Sequence, residues 1–425
     1  MFFFLLHSLA QSLPRHLCEV TRLILKTITA QTTSRVDLVF DIYVSPSIKD
    51  VERSARGEAN ARSFFFGPAQ TTPNDFKNLL KLSTFKVGIA QFLFEDLANQ
   101  DNADLIGNKT IYCAVNHKCV CIKVVNGIIH SEEVLGLAGR HEEADTRVVF
   151  HTVHSIKEGY TSVTVRANGT DILIILLASC HAFINCNVFM DVGFSYNNSR
   201  RLIDVTRLFN KLGTTSEALP GLHAFTGCDY NPCFNGKGKQ KPLKLMCQSQ
   251  KFIDAFRLIG SGNYVLTSVQ NTIEEFTCRM YGFKTLCDIN KARYESFCSK
   301  YKPDPGATSP LSKIKSVDPS LFPPCRKVLL KQTQRANLIA AIWRNACLSN
   351  PSEHLNPVEH GWLVQDGKFS VEWFDGDQVP PQEEVFYENS EFSQDDEDDG
   401  HASEEEESDD DSECSSDEDD DDLAD

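Results

Sequence analysis

The chain has 425 residues, 41% of them hydrophobic, and its 42 Lys and Arg against 59 Asp and Glu give a formal net charge of −17. That apolar content supplies a real core and excludes a wholly disordered polyanion, and the length fits one large domain, or two, with extras. The charge is divided: from residue 369 onward there are 27 acidic residues and no Lys or Arg, so residues 1–368 hold 42 basic and 32 acidic residues, a balance of +10.

The opening MFFFLLHSLA is apolar, but it lacks a basic n-region and a small-x-small cleavage site, which argues against secretion. Residues 36–40 (VDLVF) predict a short buried strand ending at Asp41, followed by a polar, exposed helix over 47–62. Residues 84–98 have helical apolar spacing, and two β-like runs follow near 111–124. Within the latter, CAVNHKCVC brings Cys113, His117, Cys119 and Cys121 together. The spacing is poor for tetrahedral zinc, so buried strand cysteines are the favoured reading. The 15 cysteines are scattered without a framework, as in a reduced, intracellular protein.

A helix is expected over 142–157, then the strand SVTVR (162–166), the apolar run ILIILL, and strands at 188–192 and 201–205. This alternation predicts an α/β fold with a mainly parallel sheet. The run DILIILLASCHAF is too short to span a membrane and starts on a charge. Beyond residue 240 the pattern turns helical over 242–258, 265–281, 288–300 and 325–348, with a Pro/Ser-rich loop at 301–324 and a small β element at 361–374.

In open parallel sheets, ligands sit beyond the carboxyl ends of the strands. Several acids fall there. Asp41 ends VDLVF, Asp171 follows SVTVR, Asp229 lies in the turn FTGCDYNP, and Glu143 and Asp145 begin a helix in HEEADTR. Packed acids are tolerated only when protonated or neutralised by a cation. Hard ions such as Mg²⁺ and Mn²⁺ choose oxygen ligands, and two of them about 4 Å apart can hydrolyse a phosphodiester.

Each acid also has a plainer reading. Glu142, Glu143 and Asp145 suit a helix N-terminus, and Glu143 is placed to pair with Arg147. Asp171 suits an N-cap, Asp229 a turn, and Asp41 a solvated strand end. Residues two apart on a helix point about 200° apart, so Glu143 and Asp145 share an ion only in a loosened first turn.

The ordered set VFD, EEADTR, TDILIILL and LPGLHAFTGCD…GKGK resembles a multi-copy family of animal proteins associated with mobile elements. That family in turn looks like the PIN-like fold of flap endonucleases and XPG-type nucleases. The resemblance covers most of residues 1–375. It implies that Asp41, Glu143, Asp145, Asp171 and Asp229 form a catalytic Mg²⁺ or Mn²⁺ site. It also implies that GKGKQKPLKL begins a helix-two-turn-helix gripping the DNA backbone through Gly236 and Gly238 and through Lys237, Lys239 and Lys241. A flexible basic loop is the alternative for that stretch.

Two departures stand out. The family's D-x-D reads Gly169-Thr170-Asp171, so one acid is missing. The family's first strand and its acid, expected ahead of FFFLLHSL, are missing as well.

The resulting expectation is a PIN-like nuclease-type domain over 1–235, a helical extension over 236–375 and a disordered acidic tail over 376–425. Its function is metal-dependent phosphodiester hydrolysis on DNA rather than RNA, degenerate in this copy, in an intracellular and nuclear protein with no membrane partner. The alternative is a catalytically inactive nucleic-acid-binding or scaffold protein of mobile-element origin. Three roles fit the tail: it keeps the protein soluble, competes with nucleic acid for the basic body, or binds basic proteins.

Overall fold

Strands and helices alternate through the first half of the chain and helices dominate the second, and the computed structural model is accordingly a mixed α/β protein. It describes residues 2–10, 12–50, 63–194, 198–302, 305–306 and 317–376. The helix expected over 47–62 lies outside the described residues from 51 onward, as does the acidic tail from 377.

The first sheet has the order β1 (Arg35–Val39), β2 (Thr110–Val115), β3 (Lys118–Val125), β4 (Ile128–Glu133). The second has the order β5 (Ser162–Arg166), β6 (Asn187–Val192), β7 (Arg201–Asp204), and the hairpin β8 (Trp362–Gln365) and β9 (Lys368–Val371) stands alone. The sequence pattern predicts a mainly parallel sheet, but among the described residues only β1–β2 and β5–β6 pair in parallel, while four pairs are antiparallel. Short turns explain the difference. Asn126 and Gly127 both have positive φ, at 50° and 77°, and two such residues close an antiparallel hairpin. A parallel pair needs a long crossover, and only β1–β2 and β5–β6 have one.

The helices largely follow the apolar spacing: Ser83–Asp96, Ala144–Lys157, Thr267–Met280, Ile289–Lys300 and Arg326–Arg344. ILIILL lies within the helix Thr170–Ala178. Cys113, Cys119 and Cys121 are buried strand residues, and the His117 ring bonds the Gly139 carbonyl at 3.1 Å. Among the described residues no helix is long and apolar enough to cross a membrane.

One apolar cluster packs the N-terminal helices against the first sheet. A larger one joins β5 and β6 to the helices Thr170–Ala178, Thr214–Thr226, Gln250–Leu258 and Arg326–Arg344. It runs without a break across the 235/236 junction. Helix Thr214–Thr226 lies close against Gln250–Leu258 because position 221 is glycine. A Cβ there would stand 2.3 Å from the Phe256 carbonyl oxygen.

Candidate functional site

The helix Ala144–Lys157 begins two residues later than the expected start at 142. Glu143 occupies the N-cap with extended backbone, at φ −103° and ψ 144°, and makes no side-chain cap bond. Asp41, just past β1, does the capping instead, because its Oδ1 accepts from the Ala144 amide at 2.8 Å. The geometric objection to Glu143 and Asp145 acting together therefore falls away: one is outside the helix and the other is in its first turn.

The turn that carries Asp229 is held from the C-terminal half. Cys228 and Asn231 exchange backbone bonds at 2.9 and 3.0 Å. The Asn231 side chain donates to the Ala224 carbonyl at 3.0 Å and accepts from Arg335 at 2.9 Å. Asp171 lies in the first turn of Thr170–Ala178 and bonds His223 Nε2 at 2.7 Å. Gly169 is the N-cap of that helix.

Glu143 at the N-cap, Asp145 and Asp171 in first helical turns and Asp229 in a turn keep the plainer placements, but the expected pair of Glu143 with Arg147 does not form. Arg147 turns away from Glu143 and donates to the carbonyls of Asn116 and Lys118, the latter at 2.9 Å. Asp229 pairs with Lys49 at 3.2 Å, and Glu143 pairs with the same ammonium. Lys49 stands 4.9 Å from the centre of the Tyr230 ring. Glu142 accepts from the Ser47 hydroxyl.

The five acids act on one another electrically. Burial, then the charges of Glu143, Asp41 and Asp171, push the Asp145 carboxyl well above its usual range. Its Oδ1 is buried with no hydrogen-bond partner among the described residues. Burial raises Glu143 to about 7, although Lys49 and the Tyr230 hydroxyl pull against it. Burial disfavours the Lys49 charge, but Glu143, Asp229 and Asp41 outweigh it and hold its pKa well above the ordinary value. Burial likewise opposes ionisation of Asp171, and His223, Lys239 and Lys49 reverse the effect and leave it low. Negative charge is thus concentrated beyond what one ammonium balances.

Oxygen donors of this kind suit a hard divalent ion, and the Asp145 Oδ1 is a buried oxygen without a hydrogen-bond partner among the described residues. As the side chains stand, however, no group of three or more His, Cys, Asp or Glu among the described residues is arranged to hold one. The Lys49 ammonium takes the central place.

The basic loop divides in two. Gly236 and Gly238 have positive φ, at 66° and 51°, and face open space. Lys237 lies 4.1 Å from the centre of the Tyr281 ring, and Lys241 is exposed. Lys239 is exposed, but its ammonium is turned back onto the chain. Its ammonium bonds the His223 carbonyl at 2.8 Å, the Thr226 hydroxyl at 3.1 Å and the Gly227 carbonyl, capping the helix Thr214–Thr226.

Sequence reasoning singled out all five acids but missed Lys49, His223 and Tyr230. Tyr230 adjoins Asp229 and His223 lies six residues before it, in the last turn of the helix Thr214–Thr226, while Lys49 carries no local signal at all. No family model matches the chain, and neither does any curated protein or solved structure.

Proposed function

We propose that the chain is a PIN-like nuclease-fold protein whose acidic pocket descends from a metal-dependent phosphodiester hydrolase acting on DNA. The observation that carries this reading is the buried Asp145 carboxylate, with an orphaned oxygen and three acids raising its pKa. The acids also come from the segments, and in the order, that the resemblance implies.

In this reading Asp41, Glu143, Asp145, Asp171 and Asp229 would hold the ion. A bound divalent ion would supply charge to activate water and to steady the leaving oxygen. The chain's own part is to keep Asp145 buried and oriented, to hold Asp171 against His223, and to fix Asp229 through Asn231 and Arg335. Lys237 and Lys241 would meet the phosphate backbone.

Two observations favour a second reading, a catalytically inactive DNA-binding protein: Lys49 fills the centre of the acids, and residue 169 is glycine. One experiment separates the two. The Gly169 backbone has ordinary negative φ, and the nearest atom to an added Cβ is the Asp171 nitrogen at 4.0 Å, so Gly169→Asp fits. With a flap-bearing DNA and Mn²⁺, Gly169→Asp should raise cleavage about tenfold or more, and adding Asp145→Ala should return it to background. A Gly169→Asp protein that binds the DNA and leaves it intact establishes the inactive reading.

A further inference from the structure

The helix Ile289–Lys300 carries its aromatic residues on the wrong side for a core. It buries Ile289 and Ala292, while Tyr294 is 67% exposed and Phe297 40% exposed. Arg293, Tyr294, Phe297 and Tyr301 recur at helical spacing on one stripe, and with Phe322 they line an open groove of about 620 Å³.

The rings are arranged as a surface. Phe297 and Tyr301 stack with centroids 5.0 Å apart at 17°, and Phe322 meets Phe297 edge-on at 6.3 Å. Cations stand at its rim. Arg293 lies 6.0 Å and Lys300 5.4 Å from the centre of the Phe322 ring. The Arg293 guanidinium is steadied by the Pro323 carbonyl at 2.6 Å.

The glycine-bearing loop docks on the same rim, where Asn235 donates to the Ser320 hydroxyl at 2.7 Å. Lys237, on Tyr281, feels repulsion from Lys241 and Lys300. The nearby acid Asp318 is turned onto the Ser320 amide at 2.9 Å. Cations that repel one another beside exposed ring faces favour a polyanion that also offers flat apolar faces.

We infer that this groove binds single-stranded DNA, its bases stacking on Tyr294 and Phe297 and its phosphates meeting Arg293, Lys300 and Lys237. The inference rests on the proposed DNA-directed function and assigns the unpaired flank of the substrate to this face. Duplex DNA hides its base faces and gains only the cationic rim.

The test is fluorescence anisotropy with labelled oligo-dT of about 15 nucleotides, using the full chain in EDTA. Tyr294→Ala should weaken oligo-dT binding roughly 5- to 100-fold, Tyr294→Phe should restore it, and affinity for a duplex of equal length should stay unchanged. Tyr294 is exposed, so its loss leaves the core intact.

Three results overturn the inference. One is equal affinity of Tyr294→Ala and the unaltered chain for oligo-dT. Another is an equal loss on duplex and single strand. The third is absence of oligo-dT binding while the acidic aromatic peptide EEVFYENSEF (383–392) binds instead. EDTA takes divalent ions out of the measurement, so failure of the groove and failure of the acidic pocket are read separately.

Discussion

Lys49→Met is expected to destabilise the metal-free protein by about 3–5 kcal/mol near neutral pH, and Mg²⁺ or Mn²⁺ is expected to return most of that loss. Removing one partner from a buried ion pair leaves an uncompensated charge. Here the partners are Glu143 and Asp229, with Asp41 and Asp145 close enough to act on the same region.

The pH dependence follows from the sign. Lys49 lowers the Glu143 pKa, so without it Glu143 rises above its value of about 7. A carboxyl raised in the folded state binds more protons than it does unfolded, so it lowers stability as pH rises from its ordinary 4.5 through the folded value. The deficit of Lys49→Met should therefore grow from acidic to alkaline pH. Urea unfolding with and without Mg²⁺ checks it. Equal stability of both proteins at all pH values would show that the ammonium does not balance these acids.

The second large effect lies away from the pocket. Asp37→Ala should cost about 3–5 kcal/mol, and Asp37→Asn clearly less. Arg35 is almost fully buried and donates twice to Asp37, both at 2.7 Å, and once to Glu158 at 2.6 Å. Its guanidinium lies 3.9 Å from the centre of the Tyr112 ring. Asp37 also bonds His151 Nδ1 at 2.7 Å. Burial keeps His151 below its ordinary pKa despite that carboxylate, so its neutral ring donates to Asp37.

Asp37 itself is held below 3.8: burial opposes this, and Arg35 and His151 prevail. Its contribution is therefore present above the ordinary carboxylate range and disappears as pH falls through the lower folded value. The gap between the unaltered chain and Asp37→Ala should close in strong acid. Chemical denaturation across that range measures it, and a gap that persists there would assign the loss to packing.

These two cases mark what was legible in the sequence. Apolar strands and helices were readable because burial imposes its period on the residues, as in VDLVF, SVTVR and the C-terminal helices. The acids were readable because each ends a strand, starts a helix or sits in a Gly-bearing turn. Their partners were not. Lys49 joins Glu143 and Asp229 across stretches of about a hundred residues or more, and no local pattern encodes that pairing. Asp37 lies inside the expected strand VDLVF and Arg35 just ahead of it, and nothing local marks the network they form with Glu158 and His151.

β4 (IIHSEE) was missed because it lies largely exposed and has no apolar alternation, although Asn126-Gly127 is a hairpin signal. The mainly parallel sheet was an inference from alternation of element types, and the short turns between β2, β3 and β4 override it. Lys239 read as a DNA contact because it belongs to the basic stretch GKGKQKPLKL, but helix Thr214–Thr226 ends beside it with carbonyls that need a donor.

The central claim is that these distant acids make one pocket short of a divalent ion. Titrating Mn²⁺ into the full chain near pH 8, with the free ion followed by electron paramagnetic resonance, tests it most directly. The account predicts saturable binding that weakens toward acidic pH, as Glu143 takes up a proton, and that is lost when Asp145→Asn is combined with Glu143→Gln. Binding unchanged by that pair of substitutions, or no binding by the unaltered chain, would contradict it.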